Sequence, residues 1–236
     1  MAIGFPRVMS KDKKLIEPVA APLEIKEGMA SYVASGDSIR SVVGHFPIDV
    51  CRLYEIYEWK HASAILKHDF QNEWNDIIGM LQAFKLKRSW VSIGGGNKSD
   101  LSKWVDAFLG GRGWKEKQFS TAVVVDDSKL ESPTHKVDCY KNRIALELEW
   151  NNKDPFYDRD LNNFRLLFDL RAISVGVIFT RSDELQEIFD GLGRGSSYGN
   201  STTHMSKLLP RIEGGSGAGC PIIVIGITKK LYVDDL

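Results

Sequence analysis

The sequence predicts an α/β fold in which a mixed central β-sheet is flanked by helices. Two continuous apolar runs, residues 173–180 and 221–227, are typical of strands that are covered on both faces. Residues 70–86 show helical periodicity instead, with an apolar face made of Trp74, Ile77, Ile78 and Leu81. Strands that alternate with helices indicate an α/β domain, which we assign to residues 51–236.

The other predicted elements follow from the same periodicities. Ser99 is expected to cap a helix whose apolar face is Leu101, Trp104, Val105 and Phe108. Three later helices have the apolar faces Leu161, Phe164, Leu167 and Phe168; Leu185, Ile188 and Phe189; and Met205, Leu208, Leu209 and Ile212. Residues 121–125 are predicted to form a buried strand, and the segment from about residue 54 to 86 to form two helices. Residues 1–50 are predicted to be an N-terminal extension packed on the core.

Charge and cysteine content narrow the function classes only partly. The chain of 236 residues has 31 basic and 31 acidic side chains, a balance that neither indicates nor excludes binding to nucleic acid. Its three cysteines are far apart and odd in number, so neither a disulfide framework nor a zinc site is expected. With no signal peptide and no apolar run of about 18 residues, we expect a cytoplasmic protein that does not associate with membranes.

Two predicted strands, residues 135–140 and 143–150, together carry three carboxylates. In the second strand, apolar residues alternate with a series that ends in Glu147 and Glu149. Because successive side chains of a strand point to opposite faces, these two glutamates share the face opposite an apolar one.

The turn between these strands determines where Asp138 lies. With a two-residue turn at Lys141-Asn142, Asp138 faces Ala145 and is the diagonal neighbour of Glu147, at about 7–8 Å between Cα atoms. Their side chains can close that gap to about 4 Å around one ion.

Three carboxylates on one patch repel each other unless a divalent cation lies between them, and oxygen ligands suit Mg²⁺. Such an ion can polarise a phosphodiester and activate water, which favours phosphodiester hydrolysis. An acidic strand face is also commonly solvated surface, so the spacing alone leaves both interpretations open.

Asp138 followed by Glu147-Leu148-Glu149 resembles the D-x(n)-(E/D)-x-K motif of the PD-(D/E)XK nucleases. More closely, the stretch from about residue 54 to residue 227 is similar to the BglII/BstYI group of type II restriction endonucleases, which is related to BamHI. The motifs that carry this similarity are, in order, EWNDII, GWKEK, DCYKNRIALELEW, VGVIFTRSDELQEI, SSY and PIIVIGI.

The resemblance implies a restriction-endonuclease-like core and a two-fold homodimer. It also implies Mg²⁺-dependent cleavage of double-stranded DNA at a short palindromic site, with a cognate DNA methyltransferase in the same system. Metal binding would fall to Asp138 and Glu147, with the Leu148 carbonyl as a third ligand. Glu116 would be an additional residue beside the metal, and a solvated glutamate at a helix end is the competing interpretation.

Glu149 departs from the general motif, in which lysine is usual at this position. The residue here is glutamine in the BglII/BstYI branch and glutamate in BamHI. Glu149 cannot supply positive charge, so its expected role is to orient or deprotonate the attacking water, or to bind a second metal ion.

The resemblance also implies where DNA is contacted, since it puts Asn152 at a base-contact position and a later polar loop near the major groove. The predicted DNA-binding residues are Asn151, Asn152, Lys153, Ser197, Tyr198, Asn200, Ser201, Thr202, Thr203 and His204. Basic residues near them, Arg159 among them, are further candidates for phosphate contacts. An ordinary Asn-Asn turn and helix-capping hydroxyl groups are the competing interpretations.

Several alternatives stay open from the sequence. The two helices predicted over residues 54–86, with Trp59 and Trp74, would form either the dimer interface or part of the core. A DNA-binding protein without cleavage and a non-specific repair nuclease share the expected fold. Two glycine-rich segments, residues 94–99 and 214–219, lack the context of a phosphate-binding loop and are interpreted as connections.

Overall fold

The computed structural model describes residues 44–92 and 98–236. Residues 1–43 of the predicted N-terminal extension, and residues 94–97 of the first glycine-rich segment, therefore lie outside the described residues. Within the described ranges, every helix is too short or too polar to cross a membrane.

A six-stranded mixed sheet forms the centre of the fold. The strands are β1 (Tyr54–Trp59), β2 (Leu86–Lys87), β3 (Lys115–Lys117), β4 (Ser120–Val125), β5 (Ser128–Pro133), β6 (Val137–Lys141), β7 (Ile144–Leu148), β8 (Val175–Arg181), β9 (Ile222–Ile227) and β10 (Tyr232–Val233). The order in the sheet is β1-β9-β8-β7-β6-β3. The three central strands β7, β8 and β9 are parallel and fully buried, which explains their continuous apolar sequences.

Helices cover both faces of this sheet. They are α1 (Ile48–Leu53), α2 (Ala62–Asp69), α3 (Gln71–Ala83), α4 (Arg88–Ser92), α5 (Asp100–Gly110), α6 (Phe156–Asp169), α7 (Leu185–Gly191) and α8 (Met205–Glu213). Helices α1 to α5 and α7 pack on the face that carries Leu146 and Phe179, whereas α6 and α8 pack on the face that carries Ala145 and Ile178. The predicted α/β class, with a mixed sheet between helices, is confirmed.

The prediction that the chain is helical from about residue 54 was wrong. Residues 54–59 form strand β1, which pairs antiparallel with β9 along its whole length. Its aromatic and β-branched residues fit a half-buried strand better than a helix. Trp74, on α3, is buried against Phe46 with 4.7 Å between the ring centroids. This tryptophan therefore belongs to the core of the chain and is not available to a dimer interface.

Residues 121–125 form a strand as predicted, but the strand is not buried. Strand β4 pairs only with β5, in a separate two-stranded sheet. Val123, Val124 and Val125 are each more than half exposed. An apolar run shows that a strand is favoured, but burial also needs a second layer, and the described residues leave these valines exposed.

A glycine allows α6 to lie close against the sheet. A Cβ atom on Gly176, in β8, would collide with the ring of Phe164 on α6. Both residues are buried, so the ring has no free space into which it could move.

We expect Gly176→Ala to lower the free energy of unfolding by about 1–3 kcal/mol, because overpacking forces a side chain or the backbone to shift. Urea denaturation measures this. Gly110→Ala is the matched control, since a Cβ atom there meets nothing within 4 Å. Equal stability of the two variants would contradict the close approach of helix and sheet.

Candidate active site

The β6–β7 hairpin turns at Asn142 and Arg143, one residue later than predicted. Both residues have positive φ angles, 42° and 69°, as a two-residue hairpin turn of type I′ requires. The observed pairs are Lys141 with Ile144, Tyr140 with Ala145 and Cys139 with Leu146. The predicted turn was therefore wrong, and asparagine at its first central position provides the physical reason, since asparagine tolerates the left-handed region.

This correction shifts the strand pairing by two residues and so preserves the face of every side chain. Asp138 was predicted to face Ala145; it instead comes opposite Glu147. The two carboxylates are thus closer neighbours than the predicted diagonal arrangement allowed.

Asp138 and Glu147 lie where β6 and β7 stop pairing. Beyond the pair Cys139 and Leu146, backbone N–H groups of the two strands donate to side-chain carboxylates instead of to backbone carbonyls. The Leu148 N–H donates to Asp138 Oδ2 over 3.0 Å, and the Asp138 N–H donates to Glu147 Oε2 over 3.2 Å. Each carboxylate is therefore fixed by a backbone group of the neighbouring strand, and both occupy the gap between the strands.

A fourth carboxylate joins this site from helix α6. Asp160 is fully buried, and its carboxyl group lies within hydrogen-bonding reach of that of Glu149. Glu147 and Glu149 are each 1% exposed. Glu147 Oε1 and Asp160 Oδ2 are both buried without a hydrogen-bond partner among the described residues. The cluster therefore contains more acceptor oxygens than the surrounding protein donors satisfy.

Arg159 and Asn152 contact the Glu149 side of the cluster. Arg159 Nη2 lies 3.3 Å from Glu149 Oε1 and 2.8 Å from Asp160 Oδ1. Asn152 Nδ2 donates to Glu149 Oε2 over 2.9 Å. Glu149 therefore has a partner on each oxygen, in contrast to Glu147.

Burial and mutual repulsion hold protons on this cluster. Burial raises the pKa of Glu147 well above its ordinary range, and the charges of Asp160 and Asp138 raise it further. Burial, followed by the nearby Asp160, raises the pKa of Glu149 to about 9. Burial also raises the pKa of Asp138. The four carboxyl groups cannot all be ionised at neutral pH unless a cation compensates them.

The donor set fits a hard divalent cation, because it consists of carboxylate oxygens and includes the unpartnered Glu147 Oε1. Across the described part of the chain, no three His, Cys, Asp or Glu side chains form a ready-made metal cluster. A cation at Asp138 and Glu147 would therefore need a backbone carbonyl and water as its other ligands, and Mg²⁺ commonly keeps several waters.

The cluster opens into a cleft of about 680 Å³. Asp138, Leu148 and Glu149 line its inner side, and Lys98, Asp106 and Arg159 are among the charged residues around it. Glu147 lies behind this surface. The cleft gives a substrate access to the edge of the carboxylate cluster.

Glu116 lies one strand away, on β3, which pairs with β6. Its exposed carboxylate forms a 2.9 Å ion pair with Lys136 and does not line the cleft. The structure therefore does not bring Glu116 into contact with the cluster.

The predicted DNA-binding loop divides into exposed and buried residues. The exposed ones are Lys153, Ser197, Asn200 and Ser201, and the buried ones are Tyr198, Thr202, Thr203 and His204. Tyr198 stacks on Phe189 with 4.0 Å between ring centroids. The buried Arg181 donates to the Tyr198 carbonyl and to Thr202 Oγ1, over 2.7 and 3.0 Å. The buried residues therefore shape the loop from within.

The Asn151-Asn152 pair connects this loop to the cluster. Asn151 adopts a positive φ of 58°, and its Oδ1 is buried without a partner among the described residues. The carbonyl of Asn152 accepts from the Thr203 N–H over 2.9 Å, and Lys153 forms a β-bridge with Thr202. The Asn-Asn turn and the polar loop are thus one continuous surface beside the cleft.

Sequence reasoning missed Asp160, although the sequence contains a signal for it. Tyr157, Leu161 and Phe164 form the buried face of α6, and Asp160 falls on the same face by helical spacing. A carboxylate within an apolar helix face is unusual, because burying an unpaired charge costs much free energy. Its partners, however, come from β7, which the spacing within α6 does not reveal.

We expect the metal-free protein to lose stability as the pH rises from about 5 to about 9. The Glu149 carboxyl has an ordinary pKa of 4.5 and a pKa of about 9 in the folded chain. Between these two pKa values the folded state binds more protons than the unfolded state. The contribution of the protonated Glu149 to the free energy of unfolding is therefore complete below the ordinary pKa and is lost as the pH rises through the pKa of the folded chain. Urea unfolding in a chelator, at several pH values, measures this loss.

Glu149→Gln should flatten the pH dependence because an amide does not titrate. Glu213→Gln, at an exposed glutamate at the end of α8, is the control and should keep the wild-type profile. Parallel profiles for the wild type and Glu149→Gln would show that Glu149 does not titrate as the structure implies.

Comparison with known proteins identifies the family. A family model described as restriction endonuclease BglII/BglIII matches residues 54–227, about three quarters of the chain. The matched span begins with β1 and ends with β9, so it contains the whole six-stranded sheet. A search of curated protein sequences gives no match. The chain belongs to the restriction endonuclease BglII/BglIII family and is a type II site-specific deoxyribonuclease with a restriction-endonuclease-like fold.

Proposed function

We propose that this endonuclease uses Mg²⁺ and acts as a homodimer that cuts both strands of DNA at a short palindromic site. The observation that carries the proposal is the arrangement of Asp138 and Glu147. Each carboxylate accepts a hydrogen bond from the backbone of the strand that carries the other, and Glu147 Oε1 is buried without a partner among the described residues. A divalent cation satisfies that oxygen and relieves the repulsion between the carboxylates.

Asp138 and Glu147 would hold the cation, with the Leu148 carbonyl as a third ligand. When bound, such a cation polarises the phosphodiester and lowers the pKa of water. The chain's own contribution is to fix both carboxylates in advance through the backbone N–H groups of Leu148 and Asp138, so that little reorganisation is needed when DNA binds.

Glu149 is proposed to orient the attacking water and accept its proton. It lines the cleft, and Asn152 holds one of its oxygens at 2.9 Å. Burial and the nearby Asp160 raise the pKa of Glu149 in the metal-free chain; a cation at the site would lower it, so that Glu149 would be ionised and able to accept a proton. Glu116 stays a proposed additional residue, which would have to leave Lys136 to reach the site.

For contact with DNA we propose the exposed part of the loop first, Ser197, Asn200 and Ser201, together with Lys153. These side chains can reach groove edges or phosphates without a change in the fold. Asn151 and Asn152, which are half-buried and line the cleft, remain in the proposed surface. The buried Tyr198, Thr202, Thr203 and His204 remain in it as support for the exposed residues.

Dimerisation is proposed from the substrate, because a two-fold palindrome is matched by a two-fold protein. A cognate DNA methyltransferase is the expected partner in the cell, since it would protect the host's own sites. The three cysteines are unpaired and buried, which suits the proposed location in a reducing cytoplasm.

Digestion of plasmid DNA with Mg²⁺ tests the proposal. We expect discrete fragments, and sequencing their ends would give the recognition site. A smear would instead favour a non-specific repair nuclease, and intact DNA would favour a DNA-binding protein without cleavage.

Asp138→Ala and Glu147→Ala should each abolish cutting, because either change leaves the cation with one carboxylate. Specific DNA binding should remain measurable by gel shift. Glu131→Ala, at an exposed glutamate of β5, should cut at the wild-type rate. Wild-type cutting by the Asp138 or Glu147 variant would overturn the site assignment.

A further inference from the structure

We propose that Arg159 contacts the scissile phosphate and supplies there the positive charge that lysine supplies in the general D-x(n)-(E/D)-x-K motif. This inference rests on the proposed DNA cleavage at the Asp138 and Glu147 site. It addresses the lack of a positive charge at the lysine position of the motif, which holds Glu149 in this chain.

The position of Arg159 meets the first requirement, which is proximity to the reacting centre. Its guanidinium lies 3.3 Å from Glu149, at the end of the strand that carries Glu147. It lines the same cleft as Asp138 and Leu148.

A residue that contacts the phosphate must also be accessible to DNA, and Arg159 meets this second requirement. Its side chain is 33% exposed, in contrast to the buried Glu147 and Asp160. The contacts made by its guanidinium use Nε and Nη2, and no acceptor among the described residues contacts Nη1. A guanidinium has five N–H donors in a planar fork that suits phosphate oxygens, so donors remain for a substrate.

Two contacts restrict the motion of this side chain. Asp160 Oδ1 accepts from Nε and lies beside Nη2, at 2.9 and 2.8 Å. The ring of Phe156 lies beneath the guanidinium, 4.3 Å from its central carbon. Asp160 is therefore a positioning residue, which is a physical reason to retain a buried carboxylate beside three others.

The other cations around the cleft are less suited to this role. In the described part of the chain these are Lys98, Lys103 and Arg194. Lys98 is ion-paired with Asp106 and Lys103 with Asp100, both on α5. Arg194 lies beside Tyr198, whose backbone N–H donates to the Arg194 carbonyl over 3.3 Å. Of these four cations, Arg159 is the one whose side chain contacts Glu149, the carboxylate that directly follows β7.

Single-turnover cleavage with saturating enzyme and Mg²⁺, combined with DNA affinity measured in Ca²⁺, tests the proposal. We expect Arg159→Ala to slow cleavage on the order of 10²-fold, the usual loss for one donor to a developing charge. Its Kd for DNA should change by less than about 10-fold, since one phosphate contact contributes little to the whole interface. Arg159→Lys should keep part of the rate, because lysine retains the charge but not the fork.

Arg165→Ala is the matched control. Arg165 lies on the same helix, is exposed, bonds to Asn162 and does not line the cleft. Its removal takes away the same charge and should leave the cleavage rate unchanged. Asp160→Asn should slow cleavage by roughly 10-fold through looser placement of Arg159.

Chemical rescue separates a role at the phosphate from a role in folding. Guanidinium ion, added far below denaturing concentrations, should accelerate Arg159→Ala and leave Arg165→Ala unchanged. If the wild type cuts DNA but Arg159→Ala cuts as fast as Arg165→Ala, this inference is overturned and the proposed function stands. If Arg159→Ala is slow and Arg159→Lys is equally slow without rescue, a purely structural role replaces it. If the wild type does not cut at all, both proposals fail together.

Discussion

The site depends on a local break in strand pairing. Two neighbouring strands exchange backbone hydrogen bonds up to Cys139 and Leu146 and then exchange backbone-to-carboxylate hydrogen bonds through Asp138 and Glu147. Backbone N–H groups that lose their ladder partners need other acceptors. Carboxylates meet that need, which fixes Asp138 in the lining of the cleft and Glu147 behind it. The same two hydrogen bonds therefore satisfy the backbone N–H groups and set the geometry of the site.

Burial gives this arrangement its chemical character. Four carboxyl groups share a space in which two of their oxygens find no donor among the residues that the structure describes, and the pKa values of three of them are raised. Such a cluster is costly in the free protein and becomes favourable when a cation or a proton enters it. The fold tolerates the cost because parallel, fully buried strands and the close contact of Gly176 with α6 support the cluster from behind.

Much of this architecture could be predicted from local patterns. The apolar runs that became β8 and β9 contain enough hydrophobic residues to specify buried strands, and alternation along β7 fixed the face of Glu147 and Glu149. The face of Asp138 survived an error in the turn because pairing shifts of two residues preserve sidedness. The family resemblance over residues 54–227 is borne out by the family match.

What failed were properties that depend on partners distant in sequence. Residues 54–59 are a strand because they pair with β9 along their whole length, and β4 is exposed because none of the described elements other than β5 packs on it. Asp160 belongs to the cluster because α6 crosses the end of β7, a relation that spacing within one helix does not contain. Tyr198 and Thr202 of the loop are likewise held inside the protein by hydrogen bonds from Arg181, which lies on β8.

The contacts of Glu149 have a consequence for the divergence of this enzyme group. Glu149, Asn152, Arg159 and Asp160 are joined by hydrogen bonds and ion pairs, so a lysine at position 149 would not be accommodated without a second change. A lysine ammonium at position 149 would repel the Arg159 guanidinium, which now attracts the Glu149 carboxylate. Asn152 would also lose the oxygen that accepts a hydrogen bond from its amide. Exchange between glutamate and lysine at this position therefore requires a compensating change on the following helix, and the two sites should vary together.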